Sequence, residues 1–381
     1  MKIAFLSHLD KNLYLFRLPV MQMLIKQGHT VFAITPLGDY TEALEKEGVT
    51  VIGYPIERGS LNPLKEIKTL LAIYGSIKKL NLDILHTFMA KPNIYGTFAA
   101  KLAHVKVVVN TVTGLGSYFI DESLKSKVVR TLIQNLYKVV FSISNGVIFQ
   151  NSDDQNYFED INIVSPKKSF LVRSSGVDTS YFNLKTVNWE QVKKLKNELS
   201  LSDKPVVLMV ARAIWHKGIA EYIKAASLVK ARSAHFILVG GTDEGNPSSA
   251  SKEWLQEQKS VVWLGERSDI KELMALSSIV VLPSYREGVP RTLLEAASME
   301  KALITTNAPG CKEVVENGKN GFLVPVKDFL LLAEKLQTLI EDEALLKRFS
   351  ESSREKAVNE FDVSIVVEQY SLIYKNLLKV T

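Results

Sequence analysis

Ile279-Val280-Val281-Leu282-Pro283-Ser284-Tyr285-Arg286-Glu287-Gly288-Val289-Pro290-Arg291-Thr292-Leu293-Leu294-Glu295-Ala296 packs a strand, a turn and the start of a helix into eighteen residues. The apolar run 279–282 reads as a short buried strand that Pro283 ends, because proline has no amide proton for the next ladder bond. Gly288 and Pro290 then force a turn, and residues 292–298 take up helical spacing. Glu287 is therefore held at a helix entrance, where the amides of residues 288–293 can meet an anion. Glu295, one turn into the helix, would repel that anion, so a pair of hydroxyls such as a ribose diol suits it better. The segment reads as a sugar-nucleotide site, with diphosphate on backbone donors, ribose on one glutamate and a second sugar on the other. The plain alternative is a surface helix whose glutamates are merely solvated.

The same strand-then-helix grammar runs along the chain. Short apolar runs at 3–6, 30–34, 49–54, 84–86, 105–110, 146–149 and 168–172 alternate with periodic segments such as 19–26, 64–80 and 93–103. That alternation implies parallel strands joined by crossover helices. Residues 177–184 show neither period and suit a linker, and the grammar restarts at 206–210, 236–239, 261–264, 279–282, 302–305 and 321–324. The chain therefore reads as α/β, two successive doubly wound domains, and its 381 residues exceed what one hydrophobic core usually organises. No internal repeat is visible. Ligands of open parallel sheets sit at the carboxyl ends of the strands, so two such domains facing each other would share a cleft. The final helical segment carries Val366, Val367, Tyr370, Ile373, Tyr374 and Leu377 on one stripe, which marks a buried face.

Composition narrows the class. With 46% apolar and 23% charged residues the chain is an ordinary globular protein. Its one cysteine, Cys311, excludes an intramolecular disulfide and favours a reducing compartment. The apolar run that opens the chain is too short for a secretory leader. The longest nearly apolar window, 128–149, is interrupted by Arg130, Gln134, Asn135, Lys138 and Asn145, so no membrane span is expected. Residues 1–175 hold 20 Lys and Arg against 14 Asp and Glu, while 176–381 hold 27 of each, so the formal charge of +6 belongs to the first half. Such an excess suits lipid headgroups, a diphosphate or nucleic acid. No cysteine pair for zinc, no Walker loop, no dinucleotide fingerprint and no D-x-D at a strand end is present, and neither a metal nor another cofactor is expected.

Candidate functional residues cluster after strands. Arg212 and Lys217 flank a turn between the strand ending at Val210 and a helix from Ile219, where two cations would neutralise a diphosphate and stabilise it as a leaving group. Gly240 and Gly241 end another strand and allow close approach of a ligand or a tight turn. The loop holding Arg267, with Ser268 or Asp269 as the following helix cap, would fit a nucleotide base. Residues 308–313 could line a sugar pocket. In the first half, Ser7 and His8 leave the first strand, His86 ends another, Lys91 and Asn93 open a helix, and Arg17 lies just before Pro19. Thr113 and Gly114 begin a loop with aromatic and aliphatic tips, followed by a basic and apolar segment, 124–138, that could lie on an anionic membrane or pack on its own sheet.

These motifs resemble those of the family 4 retaining glycosyltransferases of the GT-B fold. The likeness runs from the first strand to the last helix. Phe5-Leu6-Ser7-His8, Ser60-Leu61-Asn62-Pro63, Gly114-Leu115-Gly116-Ser117, Asn135-Leu136-Tyr137-Lys138, Trp215-His216-Lys217-Gly218 and the stretch from Leu238 to Glu244 are similar to members that add α-1,3-linked N-acetylgalactosamine to undecaprenyl-diphospho-N,N'-diacetylbacillosamine in bacterial N-glycosylation. The resemblance implies an acceptor-binding domain over 1–178, a nucleotide-sugar domain over 179–362, and a last helix, 363–381, packed back on the first domain. Arg212 and Lys217 would hold the UDP diphosphate, Glu295 the ribose, Glu287 the transferred sugar, and Gly288, Val289, Pro290, Arg291 and Thr292 would line the phosphates through main-chain groups. Gly241 and Arg267 would complete the donor site. Ser7, His8, Arg17, His86, Lys91, Asn93, Thr113 and Gly114 would face a polyprenyl-diphosphate-linked sugar, with the enzyme peripheral on the cytoplasmic face of the cell membrane. The chain departs from many relatives in lacking two adjacent glycines after the first strand and a histidine between 109 and 114.

The same fold could serve another UDP-hexose donor in lipopolysaccharide or capsule assembly, or a UDP-sugar epimerase. A basic nucleic-acid module is the non-enzymatic rival, and without an aromatic and basic stripe no nucleic-acid partner is expected.

Overall fold

A computed structural model describes residues 1–57, 62–230 and 233–380. Ser60 and Leu61, quoted above, lie outside the described residues. Seven strands form the first sheet: β1 (Lys2–Leu6), β2 (Thr30–Ile34), β3 (Thr50–Ile52), β4 (Ile84–Phe88), β5 (Val107–Val112), β6 (Gly146–Phe149) and β7 (Ser169–Leu171). Six form the second: β8 (Val206–Val210), β9 (His235–Val239), β10 (Val262–Trp263), β11 (Ile279–Leu282), β12 (Ala302–Thr306) and β13 (Gly321–Val324). Every pairing is parallel, in the orders β3-β2-β1-β4-β5-β6-β7 and β10-β9-β8-β11-β12-β13. Strands such as β4, β5 and β12, buried along their whole length, need cover on both faces, and helices on each side supply it. Strand order reverses between β1 and β4 and again between β8 and β11, and each reversal opens a crevice at the carboxyl edge of its sheet.

The chain divides into two compact units, one of Met1–Ser175 with the helix from Ser364 onward, the other of Gly176–Val363. In the first unit Ile3 and Phe5 of β1 point to one face of the sheet, where the helix Asp10–Lys26 packs. Val366, Tyr370, Ile373, Tyr374 and Leu377 of the helix Val363–Val380 join that same core. Ala4 and Leu6 point to the other face, toward the helices Pro63–Leu80 and Ala90–Leu102.

Two segments differ from the sequence expectation. The helix Asp10–Lys26 runs through Pro19 rather than starting there, so Arg17 is a helix residue, 4% exposed, and not the end of a loop. Proline removes one backbone bond, and burial of Leu13, Val20, Met21 and Leu24 on one face keeps the helix whole. Strand β4 continues two residues past His86, which places that imidazole inside the sheet. The polar pair His86-Thr87 looks like a strand end, but both side chains are satisfied in the interior. His86 Nδ1 and Nε2 lie 2.5 Å from Tyr374 Oη and 2.6 Å from Thr111 Oγ1. Thr87 Oγ1 donates to Asn93 Oδ1 at 2.7 Å and accepts from Asn110 Nδ2 at the same distance.

Candidate active site

Three loops leave the carboxyl ends of β8, β11 and β12 and interlock. Gly218 (φ +80°) lies so close to Pro283 that a Cβ would sit 2.2 Å from its carbonyl oxygen, and Gly310 (φ +77°) lies equally close to the carbonyl of Gly288. Only glycine fits either place. The amide of Tyr285 donates to the carbonyl of His216 at 2.9 Å, and the amide of Glu287 to that of Pro309 at 3.0 Å. Thr306 Oγ1 donates to the carbonyl of Ser284.

This stitching brings Lys217 and Glu287, 70 positions apart, to 2.5 Å, Nζ to Oε1, with side chains 19% and 12% exposed. A charge pair so largely withdrawn from water is costly to break by deleting one partner, and it can be re-formed with another anion in place of the carboxylate. Arg212 stands on the same loop as Lys217. Its guanidinium, 61% exposed on the side chain, contacts Asp243 Oδ2 at 2.5 Å, and that oxygen also accepts from Asn246 Nδ2 at 3.0 Å. Burial holds the imidazole of His216 below its ordinary value; Lys217 and Arg212 push the same way and Glu287 opposes them, so these charges converge on one place. Gly241 ties in the loop after β9, its carbonyl accepting from the amide of Ala213 at 2.9 Å.

The helix Arg291–Ser298 begins at Pro290 with no side-chain cap, and Val289 packs on the core of its unit. Thr292 lies in its first turn and Glu295 one turn in. The Glu295 carboxylate, 14% exposed, lies 2.8 Å from Arg291 Nε. Burial pushes its pKa up to about 6, with Arg291 pulling the other way. Nearby Cys311 is fully buried and its thiol is pushed up to about 12, chiefly by burial, so it is an inert packing residue. Arg267 is forked onto Asp269 at 2.9 and 2.6 Å and reaches Glu198 at 3.2 Å. No contact links it to the Lys217–Glu287 pair among the described residues.

In the first unit, Ser7 and His8 follow β1, Lys91 follows β4, and Thr113 and Gly114 follow β5. Ser7 Oγ accepts from the amide of Leu9 at 3.3 Å. Lys91 Nζ contacts Glu66 Oε1 at 2.7 Å and the carbonyl of Glu57 at 2.8 Å. Arg17, His86 and Asn93 are interior instead. Arg17 Nη1 donates to Tyr370 Oη at 3.3 Å with its guanidinium 4.5 Å from the centre of the Phe88 ring, and Asn93 Nδ2 donates to the carbonyl of Thr111 at 3.0 Å. These three secure the C-terminal helix and the sheet, and we leave them out of any acceptor site. Sequence reasoning had not singled out Asp243, which orients Arg212, or Glu221, which accepts from Tyr285 Oη at 2.8 Å. Asp243 lies four residues past β9, the same strand-end position that drew attention to the other site residues.

Among the described residues no group of three or more His, Cys, Asp or Glu could hold a metal ion, and no helix is long and apolar enough to cross a membrane. Residues 2–151 match the family described as glycosyl transferase 4-like, and residues 191–356 match glycosyl transferases group 1. An N,N'-diacetylbacillosaminyl-diphospho-undecaprenol α-1,3-N-acetylgalactosaminyltransferase of Campylobacter jejuni is 36% identical over 379 residues, covering 100% of both chains. The chain belongs to the family 4 glycosyltransferases. A second relative of this glycosyltransferase, the UDP-Gal:α-D-GlcNAc-diphosphoundecaprenol α-1,3-galactosyltransferase of Escherichia coli, is 28% identical and covers 90% of this chain and 87% of its own. The crystal structure of Anabaena HepE in complex with UDP superposes with a TM-score of 0.81 at 21% identity, covering 99% of this chain and 100% of that one. Two Rossmann-like parallel-sheet domains of the GT-B type are thus the fold of this glycosyltransferase.

Proposed function

We propose that this glycosyltransferase moves N-acetylgalactosamine from UDP-N-acetylgalactosamine to undecaprenyl-diphospho-N,N'-diacetylbacillosamine, forming an α-1,3 bond with retention and without a metal. The observation that carries the choice of substrates is the identity of 36% across the whole of both chains with the Campylobacter jejuni enzyme of that name. Arg212 and Lys217 take the donor diphosphate, together with main-chain groups of residues 288–292 at the uncapped helix start. Lys217 exchanges the Glu287 carboxylate for a phosphate oxygen, and Glu287, released, accepts hydrogen bonds from hydroxyls of the donor sugar. Glu295 accepts from the ribose diol once it is ionised, above pH about 6. Gly241 borders the donor, while Arg267, engaged by Asp269 and Glu198, serves the loop.

In the transfer step the acceptor hydroxyl oxygen attacks the anomeric carbon as the bond to the UDP oxygen breaks on the same face. The departing phosphate oxygen receives the hydroxyl proton, so atoms and charge balance without a protein nucleophile. The two cations offset the negative charge that grows on the leaving group. Ser7, His8, Lys91, Thr113 and Gly114 border the acceptor, whose lipid places the reaction on the cytoplasmic face of a membrane.

The galactosyl donor named for the Escherichia coli relative supports a second reading in which a UDP-hexose replaces the amino sugar. One experiment separates the two: a panel of UDP-sugars offered with lipid-linked diacetylbacillosamine and with lipid-linked N-acetylglucosamine. Transfer of N-acetylgalactosamine to the first acceptor is expected. Transfer of galactose alone, or to the second acceptor alone, would reject the proposal.

A further inference from the structure

Two helices of the first unit turn rows of large apolar side chains to solvent. On the helix Pro63–Leu80, Leu64, Ile67 and Leu71 are 78%, 54% and 61% exposed. On the helix Leu124–Ile143, Leu124, Val128 and Leu132 are 83%, 70% and 56% exposed. The spacings of three and four keep each set on one stripe. Both helices also bury an inner stripe, Ile73 and Ile77 on the first, Tyr137, Val140 and Phe141 on the second. The outer rows are therefore additional to those needed for packing. Each helix is securely started, by Asn62 accepting from the amide of Leu64 at 3.0 Å and by Ser123 accepting from the amide of Ser126 at 3.2 Å.

The sheet puts the two rows on one side of the unit. Val108 and Val112 of β5, four residues apart, point the same way. Val108 packs with the inner stripe of the helix Pro63–Leu80, and Val112 with that of the helix Leu124–Ile143. The helix Ala90–Leu102 lies between them and touches both. Basic side chains outnumber acidic ones on the two helices. The helix Leu124–Ile143 contains Lys125, Lys127, Arg130 and Lys138 and no acidic residue. The single acid of the helix Pro63–Leu80, Glu66, is turned inward, 17% exposed, and bound by Lys91 and Tyr95. Lys65 and Lys127 pair with Glu57 and Glu122, whereas Lys68, Lys125 and Lys138 are exposed and in no ion pair among the described residues.

We propose that these two helices form one docking face for an anionic lipid bilayer, with the leucine rows entering the headgroup and acyl boundary and Lys68, Lys125 and Lys138 meeting lipid phosphates. A protein partner would be expected to present acids to a face of this kind, and a second copy would set lysine against lysine, whereas an acidic bilayer satisfies both the apolar rows and the charge. The proposal deepens the membrane-bound acceptor of the proposed function, but bilayer binding itself needs no acceptor.

The test uses the full chain and vesicles of equal parts phosphatidylglycerol and phosphatidylcholine, free of any glycolipid. Leu64→Gln/Ile67→Gln/Leu71→Gln and Leu124→Gln/Val128→Gln/Leu132→Gln should each weaken sedimentation with vesicles by at least about tenfold. Lys68→Gln/Lys125→Gln/Lys138→Gln should weaken it on the order of 100-fold, about fivefold per charge, and remove most of its salt dependence. Leu228→Gln/Val262→Gln, exposed positions of the other unit, should bind as the parent does. All variants should glycosylate a short-chain, water-soluble acceptor at the parental rate, which establishes that they are folded. Parental vesicle binding by either leucine triple, or equal binding to pure phosphatidylcholine, would overturn the proposal. So would a parental dimer that either leucine triple converts to monomer. Failure of every variant and the parent to glycosylate the soluble acceptor, with vesicle binding as expected, would instead strike the proposed function and leave the docking face standing.

Discussion

Lys217 and Glu287 meet on loops that begin after β8 and β11 have ended, and each keeps a margin of exposure, 19% and 12% on the side chain. In the first unit the polar side chains of β4 and β5 form two pairs, His86 with Thr111 and Thr87 with Asn110, and none of the four reaches solvent. Lys217 and Glu287 follow the two strands between which their sheet reverses, and His86 and Thr87 stand on β4, one of the two between which theirs does, so nearness to the reversal alone does not decide which residues can act. The difference is the position of the residue along the strand. Past the strand end a charged group can trade its protein partner for a ligand, because the loop leaves one side open. Inside a sheet the same residue types are sealed, and their hydrogen bonds belong to the fold.

Lys217→Ala tests that contrast where the effect should be greatest. Removing the cation opposite the leaving diphosphate should lower kcat/KM for transfer, per folded molecule, by about 100-fold to 1,000-fold, and stability should fall as well because Glu287 loses its partner. His86→Ala should cost stability alone. It leaves Tyr374 and Thr111 hydroxyls without their imidazole partner, at about 3 kcal/mol of stability, read by denaturant unfolding, while each folded molecule transfers sugar at the parental rate. Burial, then Arg17, hold this imidazole well below 6.5, so folding favours its neutral form. Its contribution to stability is present above pH 6.5 and is lost as the pH falls below it, and the His86→Ala variant should lack that part of the acid dependence.

Glu295→Gln joins the two behaviours in one residue. The carboxyl titrates near 6 in the fold against 4.5 when unfolded, so the folded state holds the extra proton between those values. Stability of the parent therefore falls as the pH rises from 4.5 through 6, and the variant, which has no proton to lose, is spared this. Chemical unfolding at pH 4 and at pH 8 should show the difference between variant and parent moving in the variant's favour by about 2 kcal/mol, while its KM for the donor rises. The smallest effect belongs to Tyr370→Phe, which removes the 3.3 Å bond from Arg17 and leaves the ring in place. A loss of about 1 kcal/mol or less is expected, with donor binding unchanged.

The strands were legible because a parallel sheet buried on both faces needs continuous apolar runs, and 30–34, 146–149, 206–210, 279–282 and 321–324 match the observed strands residue for residue. The same criterion hid the polar interior. A run that stops being apolar looks finished, so His86 was placed at an edge when β4 continues to Phe88. Pro19 hid Arg17 similarly, since local chemistry says a helix should restart there while burial of the flanking residues holds it together. At the second sheet, Arg212, Lys217, Glu287 and Glu295 were each visible from their place after a strand. Their pairing was not. Contact between Lys217 and Glu287 depends on how tightly two loops pass each other at Gly218 and Gly310, and the hold of Asp243 on Arg212 depends on a third loop. Spacing along a chain carries no record of such closures.

Titration of UDP into the parent, Lys217→Ala and Lys91→Ala by calorimetry is the most direct test of the central claim, that the nucleotide is held at the β8 and β11 strand ends. UDP should bind Lys217→Ala at least about tenfold more weakly than the parent and bind Lys91→Ala as tightly as the parent. Parental affinity in Lys217→Ala, with binding lost in Lys91→Ala, would contradict it.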